Sequence, residues 1–162
     1  MKPYWFGAAV AIALAAPAAQ PGDACDGSFS VAGATTKLTS VYASIDPVFS
    51  EPGKDHLRVV LSDAPLPAAA AADDFALQKL TRDRKLHAVV LIISPAKQVK
   101  STMLFDAAFN MDSVSSAGTN NQFEVATFTK DRVAGEAFTK EAREFRGVPY
   151  EYRAKFDASI HR

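Results

Sequence analysis

The sequence predicts an all-β domain: a β-sandwich or squat barrel of about eight mostly antiparallel strands with one inserted helix. Three observations lead there. Apolar and polar residues alternate along most of the chain after residue 28, the period of a strand with one buried face. Clusters of Gly, Pro, Asn and Asp break this alternation at short intervals. Helical spacing of apolar residues occurs in one segment only. The alternative is an α+β arrangement with one curved sheet packed on that helix.

Residues 1–19, MKPYWFGAAVAIALAAPAA, carry a single charge, Lys2, then an apolar run closed by Pro17. A membrane-spanning helix needs ~20 apolar residues, more than this run supplies. A positive start, an apolar stretch and a small-residue end have the form of a secretory signal peptide, with cleavage near 18–20. Residues 20–28, QPGDACDGS, read as a polar tether, and 29–162 as a single domain. Cleavage removes Lys2 and no acid, leaving a net charge of 17 − 18 = −1. The longest remaining apolar run, Ala88 to Ile93, has strand length, so no membrane span is expected after cleavage. A periplasmic or secreted location follows.

The elements then come in order. Phe29 to Ala34 is a short strand. Thr39, Val41, Ala43 and Ile45 alternate with polar neighbours before a loop from Asp46-Pro47 to Glu51-Pro52-Gly53. His56 to Ser62 is a strand, ended by the prolines of 63–67, which remove ladder donors. Ala68 to Lys85 reads as the helix: Asp73 and Asp74 lead, Phe75, Leu77 and Leu80 supply the stripe, and Arg82, Arg84 and Lys85 close it. It bridges two strands and should cover an end or edge of the sheet.

Leu86 to Ile93 is apolar throughout, as in a strand covered on both faces. Lys97 to Phe105 follows a tight turn, and 112–121 is a loop by composition. Gln122 to Thr129 and Arg132 to Thr139 form a hairpin about Lys130-Asp131. Gly135 interrupts the second of these, pointing to a bulge or a close backbone approach. In the last strand Tyr150, Tyr152, Ala154, Phe156, Ala158 and Ile160 alternate with polar residues, one face to a core and one to water. This layout, with its export signal and period-two strands, loosely resembles the immunoglobulin-like β-sandwich domains of exported bacterial envelope proteins. The resemblance is one of pattern: the Cys, Trp and Cys set of true immunoglobulin domains is missing, and no functional residue carries over.

Composition and motifs exclude several functions. Eighteen basic and eighteen acidic residues give no basic surface for nucleic acid. One cysteine excludes a disulfide scaffold and a thiolate zinc site. Cys25 follows Gly22, Asp23 and Ala24, unlike a lipid-anchor site, which leaves a free thiol or one that pairs with another chain. No nucleophile elbow, phosphate-binding Gly-rich loop or dinucleotide fingerprint is present, and no cofactor is expected.

Metal ligation has weak candidates. His56, His87 and His161 lie at strand ends, which converge in some sandwiches. Asp106, Asn110 and Asp112 form an oxygen-rich cluster that equally suits turn chemistry. Glu124, Glu136 and Glu144 are the carboxylates a small hydrolase would draw on. Binding to another protein or an envelope component is the leading expectation, through the Arg- and aromatic-rich segment holding Arg143, Phe145, Arg146 and Tyr150. Inhibitor, immunity and envelope-accessory roles fit this size. Metal handling and hydrolysis are the alternatives.

Overall fold

The computed structural model describes residues 23–110 and 113–162, and those residues are mostly β. The expected signal peptide at 1–19 lies outside them. The strands are β1 (Ala24–Val31), β2 (Ala34–Leu38), β3 (Ser40–Ile45), β4 (Leu57–Ser62), β5 (Ala88–Ile93) and β6 (Val99–Phe105). They continue as β7 (Val114–Ser116), β8 (Asn121–Phe128), β9 (Arg132–Thr139), β10 (Arg143–Phe145) and β11 (Val148–His161). The count exceeds the expected eight because β2, β7 and β10 are too short to show a period of their own.

The strands fold into two layers. The first runs β2–β1–β11–β9–β8, with β10 beside the start of β11. The second runs β3–β4–β5–β6–β7. They join where the end of β11 pairs parallel with β3, Ile160 with Ala43 and His161 with Ser44. The other strand pairs are antiparallel. The sheet does not close, so the architecture is sandwich-like and the barrel alternative falls away.

β11 organises the first layer because its alternation is unbroken. Tyr150, Tyr152, Ala154, Phe156, Ala158 and Ile160 all enter the shared core with Phe29, Leu38, Val59, Leu91 and Leu104. Burying side chains of this size stabilises by roughly 1.5–3 kcal/mol for each large one. β1 lines one edge of β11 from Tyr150 to Asp157, Ala24 with Asp157 through Val31 with Tyr150. The tether expected at 20–28 is therefore strand from Ala24 onward. Its glycine reads as a turn, but a Cβ on Gly27 would stand 2.3 Å from Ala154 Cβ. Here glycine marks a close strand approach.

Gly135 meets both of its expectations. The β8–β9 register shifts between Val125 and Thr127, opposite Gly135. A Cβ there would lie 2.2 Å from the Glu124 carbonyl oxygen and 2.6 Å from Phe123 Cε2. The vacant space lets the Phe123 ring stack on Phe156, with centroids 5.6 Å apart and planes 15° from parallel. Gly135→Ala should displace that ring and cost on the order of 1–3 kcal/mol. Urea unfolding would give the cost, and an unshifted midpoint would mean that β8 gives way freely.

The single expected helix is two: α1 (Ala68–Ala71) and α2 (Asp74–Arg82). Asp73 separates them, its carboxylate accepting from the Phe75 amide at 2.9 Å as the cap of α2. They cover the outer face of the second layer, not an end or edge. Ala71 and Leu77 pack there on Val60, Val90 and Phe105. This second core explains why every residue of β4 and β5 is buried. Phe75, expected in the buried stripe, is 80% exposed. Among the described residues no helix is long and apolar enough to cross a membrane.

Candidate functional site

The open seam of the sheet lies between β6 and β8, and its origin is local. β7 pairs with β6 for three residues only, Val114 to Ser116 against Leu104 to Thr102. At Gly118, with φ +104°, the chain turns away from β6 and crosses to the first layer. The crossing is fastened at both ends. The Asn120 side chain accepts from the Glu141 amide at 3.1 Å and donates to the Glu141 carbonyl at 3.2 Å. Asn121 donates to Ser116 Oγ at 3.3 Å and accepts from the Tyr152 hydroxyl at 3.1 Å.

Burial pushes the Tyr152 phenol above the ordinary tyrosine range, with the Tyr150 hydroxyl adding to the rise and the Thr102 hydroxyl opposing it. It remains a neutral donor to Asn121. The loop cannot simply swing back to extend β7. Val99 and Ser101 therefore pair with Ile93 and Ile92 of β5 on one side, with Lys100 bulged between them, and among the described residues no strand pairs on the other side.

A cleft of about 440 Å³ occupies this gap. Lys97, Val99 and Lys100 form one wall, and Thr119, Gln122 and Phe123 the other. Gln122 Nε2 donates to the Thr119 carbonyl and shapes the second wall. Lys97 adopts φ +64°, closing the turn through its amide to Ser94 O at 2.8 Å. A left-handed lysine costs roughly 1–2 kcal/mol relative to glycine. Lys100 Nζ reaches Gln98 Oε1 at 3.4 Å. Among the described residues neither lysine has a carboxylate partner, and no acid lines the cleft. The site thus combines an unpaired strand edge, two lysines without a carboxylate partner and the apolar side chains of Val99 and Phe123 on its two walls.

The residues singled out in the sequence fall elsewhere. Arg143 and Phe145 lie on β10, Arg146 at φ +50° in the following turn. Phe145 is half-buried, edge-on to Phe109 at 6.4 Å, with the Arg146 guanidinium 5.5 Å from its ring centroid. Tyr150 is buried in the core, so it offers no surface to a partner. Of that group, the two arginines and part of Phe145 face solvent.

The histidines do not converge. The β4–β5 register puts His56 and His87 at opposite ends of the second layer. His161 stacks on Tyr42 at 4.7 Å. His87 Nδ1 lies 2.7 Å from Asp106 Oδ2. Asp106 Oδ1 meanwhile accepts from the Ala108 amide and caps a short 3-10 turn, Ala107–Phe109, that Asn110 ends at φ +52°. These two residues are engaged in turn chemistry, while Asp112 lies outside the described residues. Among the described residues no group of three His, Cys, Asp or Glu side chains is placed to hold a metal. Glu124 and Glu136 face each other across β8 and β9, but Arg153 holds Glu136 at 2.8 Å. Glu144 lies apart on β10.

Cys25 belongs to β1, half-buried, its Sγ donating to the Leu38 carbonyl at 3.6 Å. Burial, and then the neighbouring Asp26 carboxylate, push its thiol up to about 11. A thiol held protonated is a poor partner for disulfide exchange. Iodoacetamide labelling should stay slow at pH 8 and rise toward pH 11. The proton is lost from the unfolded chain first, so stability is complete below pH 9 and falls as pH rises toward 11. Cys25→Ser should remove that part of the alkaline loss. Rapid labelling of the folded protein at pH 8 would contradict the burial.

Sequence reasoning missed the seam residues Lys97, Lys100 and Phe123. No local pattern marks them, because the seam follows from where the chain turns away from β6. Comparison with protein-family models, curated proteins and solved structures finds no match for this chain.

Proposed function

We propose that the chain is an exported domain that works by binding another protein or an envelope component, without catalysis, and that the open seam is its recognition surface. The observation that carries this is the unpaired half of β6, held open beside a cleft by a fastened crossing loop. An unpaired strand edge is a template for association unless it is covered or blunted. The signal-like composition of residues 1–19 supports export. An inhibitor, immunity or envelope-accessory role suits such a domain.

The test is affinity capture from envelope extract on immobilised residues 20–162. Three baits are compared: the unaltered chain, Lys97→Glu/Lys100→Glu, and Arg143→Glu/Arg146→Glu. A stoichiometric partner should be held by the first and third and lost from the second. Loss from the third bait alone would move recognition to the β10 turn. Absence of any partner would overturn the binding reading.

A further inference from the structure

We infer that the seam takes an extended acidic segment of a partner protein, which adds as a short strand beside β6. This rests on the reading of the seam as the recognition surface and specifies its ligand. The backbone supplies the first reason. From Val99 to Ser101 no strand pairs with the free side of β6 among the described residues, and the register with β5 breaks there at Lys100. The backbone groups that this edge turns to the gap favour an extended polypeptide over a small anion. Three residues span roughly 10 Å, enough for a short insertion and too little for a long one.

The side chains supply the second reason. Val99 packs toward the core and Lys100 is exposed. An extended segment laid against them would present side chains to both. Its inward residues would meet Val99 and Phe123, and its outward residue would stand beside Lys100. Lys97 guards the turn end of the same cleft. With two lysines that lack a carboxylate partner and no acid in the lining among the described residues, the complementary outward residues are Asp or Glu. Exposed ion pairs add little to affinity, so charge selects and steers here while the backbone pairing and apolar contact hold.

The probe is a fluorescent eight-residue peptide of alternating valine and glutamate, used below the concentration at which it self-associates. Two controls accompany it: the same peptide with lysine for glutamate, and the acidic peptide N-methylated at alternate amides, which blocks pairing without altering charge. Fluorescence anisotropy on residues 20–162 should show binding of the acidic peptide alone, weakening with salt. Amide exchange should slow in the complex at those positions between Val99 and Ser101 whose amides face the gap. Lys97→Glu/Lys100→Glu should bind the acidic peptide about tenfold or more weakly and should gain affinity for the lysine peptide. That reversal is not expected of a variant that is merely unfolded.

Equal binding of the N-methylated peptide would overturn strand addition. If no peptide binds, yet the envelope partner is still lost from the charge-reversed bait, the acidic strand is wrong and the seam remains the recognition surface. If no partner depends on the seam, both readings fall.

Discussion

A chain ending at Asp157 is expected to lose cooperative folding, although only residues 158–162 are removed. These residues make the one strand pairing that joins the two layers among the described residues, Ile160 with Ala43 and His161 with Ser44. Ala158 and Ile160 are buried in the shared core. The Ile160 amide donates to Asp131 O at 2.9 Å, and the Ser159 amide to Asp23 Oδ1 at 2.8 Å. Arg162 reaches both Asp55 Oδ2 at 3.2 Å and the Lys130 carbonyl at 3.0 Å. Losing a buried isoleucine with its cavity costs ~2–5 kcal/mol, and each lost hydrogen bond adds ~0.5–1.5. The total approaches the ~5–15 kcal/mol that holds a typical domain together.

Near-UV circular dichroism and urea unfolding would show the result: a lost tertiary signal with part of the far-UV β signal retained. Arg162→Ala alone should cost only ~0–1 kcal/mol, since its ion pair is half exposed. If the truncated chain unfolds at the urea concentration of the full one, the core alone couples the layers and the β3–β11 pairing is incidental.

How much of this was legible depends on the range over which each feature is encoded. β11 declares itself because fourteen consecutive residues keep one period. β5 declares itself because an apolar strand must be covered on both faces. Gly135 was informative because glycine inside a strand has few reasons to be there. By contrast, the strand in 24–28 was masked by its own residues: Cys25, Asp26 and Gly27 look like turn, and only contact with Ala154 requires the glycine. β7 and β10, three residues each, carry no period at all. The seam is a consequence of strand order, fixed by where the chain leaves β6, and no local pattern records it. The Arg143 to Tyr150 segment stood out by residue type, but alternation along β11 already directs Tyr150 inward.

Arg58 shows the same limit, and it carries the second large prediction: Asp74→Ala should destabilise more than Arg58→Met. Alternation in HLRVVLS puts Arg58 on the outer face of β4, which is correct, but α1 and α2 then cover that face. The residue is 5% exposed, its Nε donating to the Ala71 carbonyl at 3.0 Å and its terminal nitrogen to Asp74 Oδ1 at 2.6 Å. Removing Asp74 leaves a desolvated cation with one neutral partner. Breaking a buried pair in this way costs ~3–5 kcal/mol. Water reaches the Asp74 side of this pair, 42% exposed, which places the effect at the lower end of that range.

Arg58→Met keeps an apolar stem against the helices and removes the charge altogether. It gives up the hydrogen bond to Ala71, a loss of ~1–2 kcal/mol. With methionine at 58, Asp74→Ala should then cost only the ~0.3–1 kcal/mol of an acid lost from the first turn of α2. Urea midpoints for the two single variants and the double variant complete the cycle. A large cost for Asp74→Ala that vanishes beside Met at 58 identifies a buried cation as the tie between the helical layer and β4. Costs that simply add would show that Arg58 and Asp74 act separately, and that the helices are held by the packing of Ala71 and Leu77 alone.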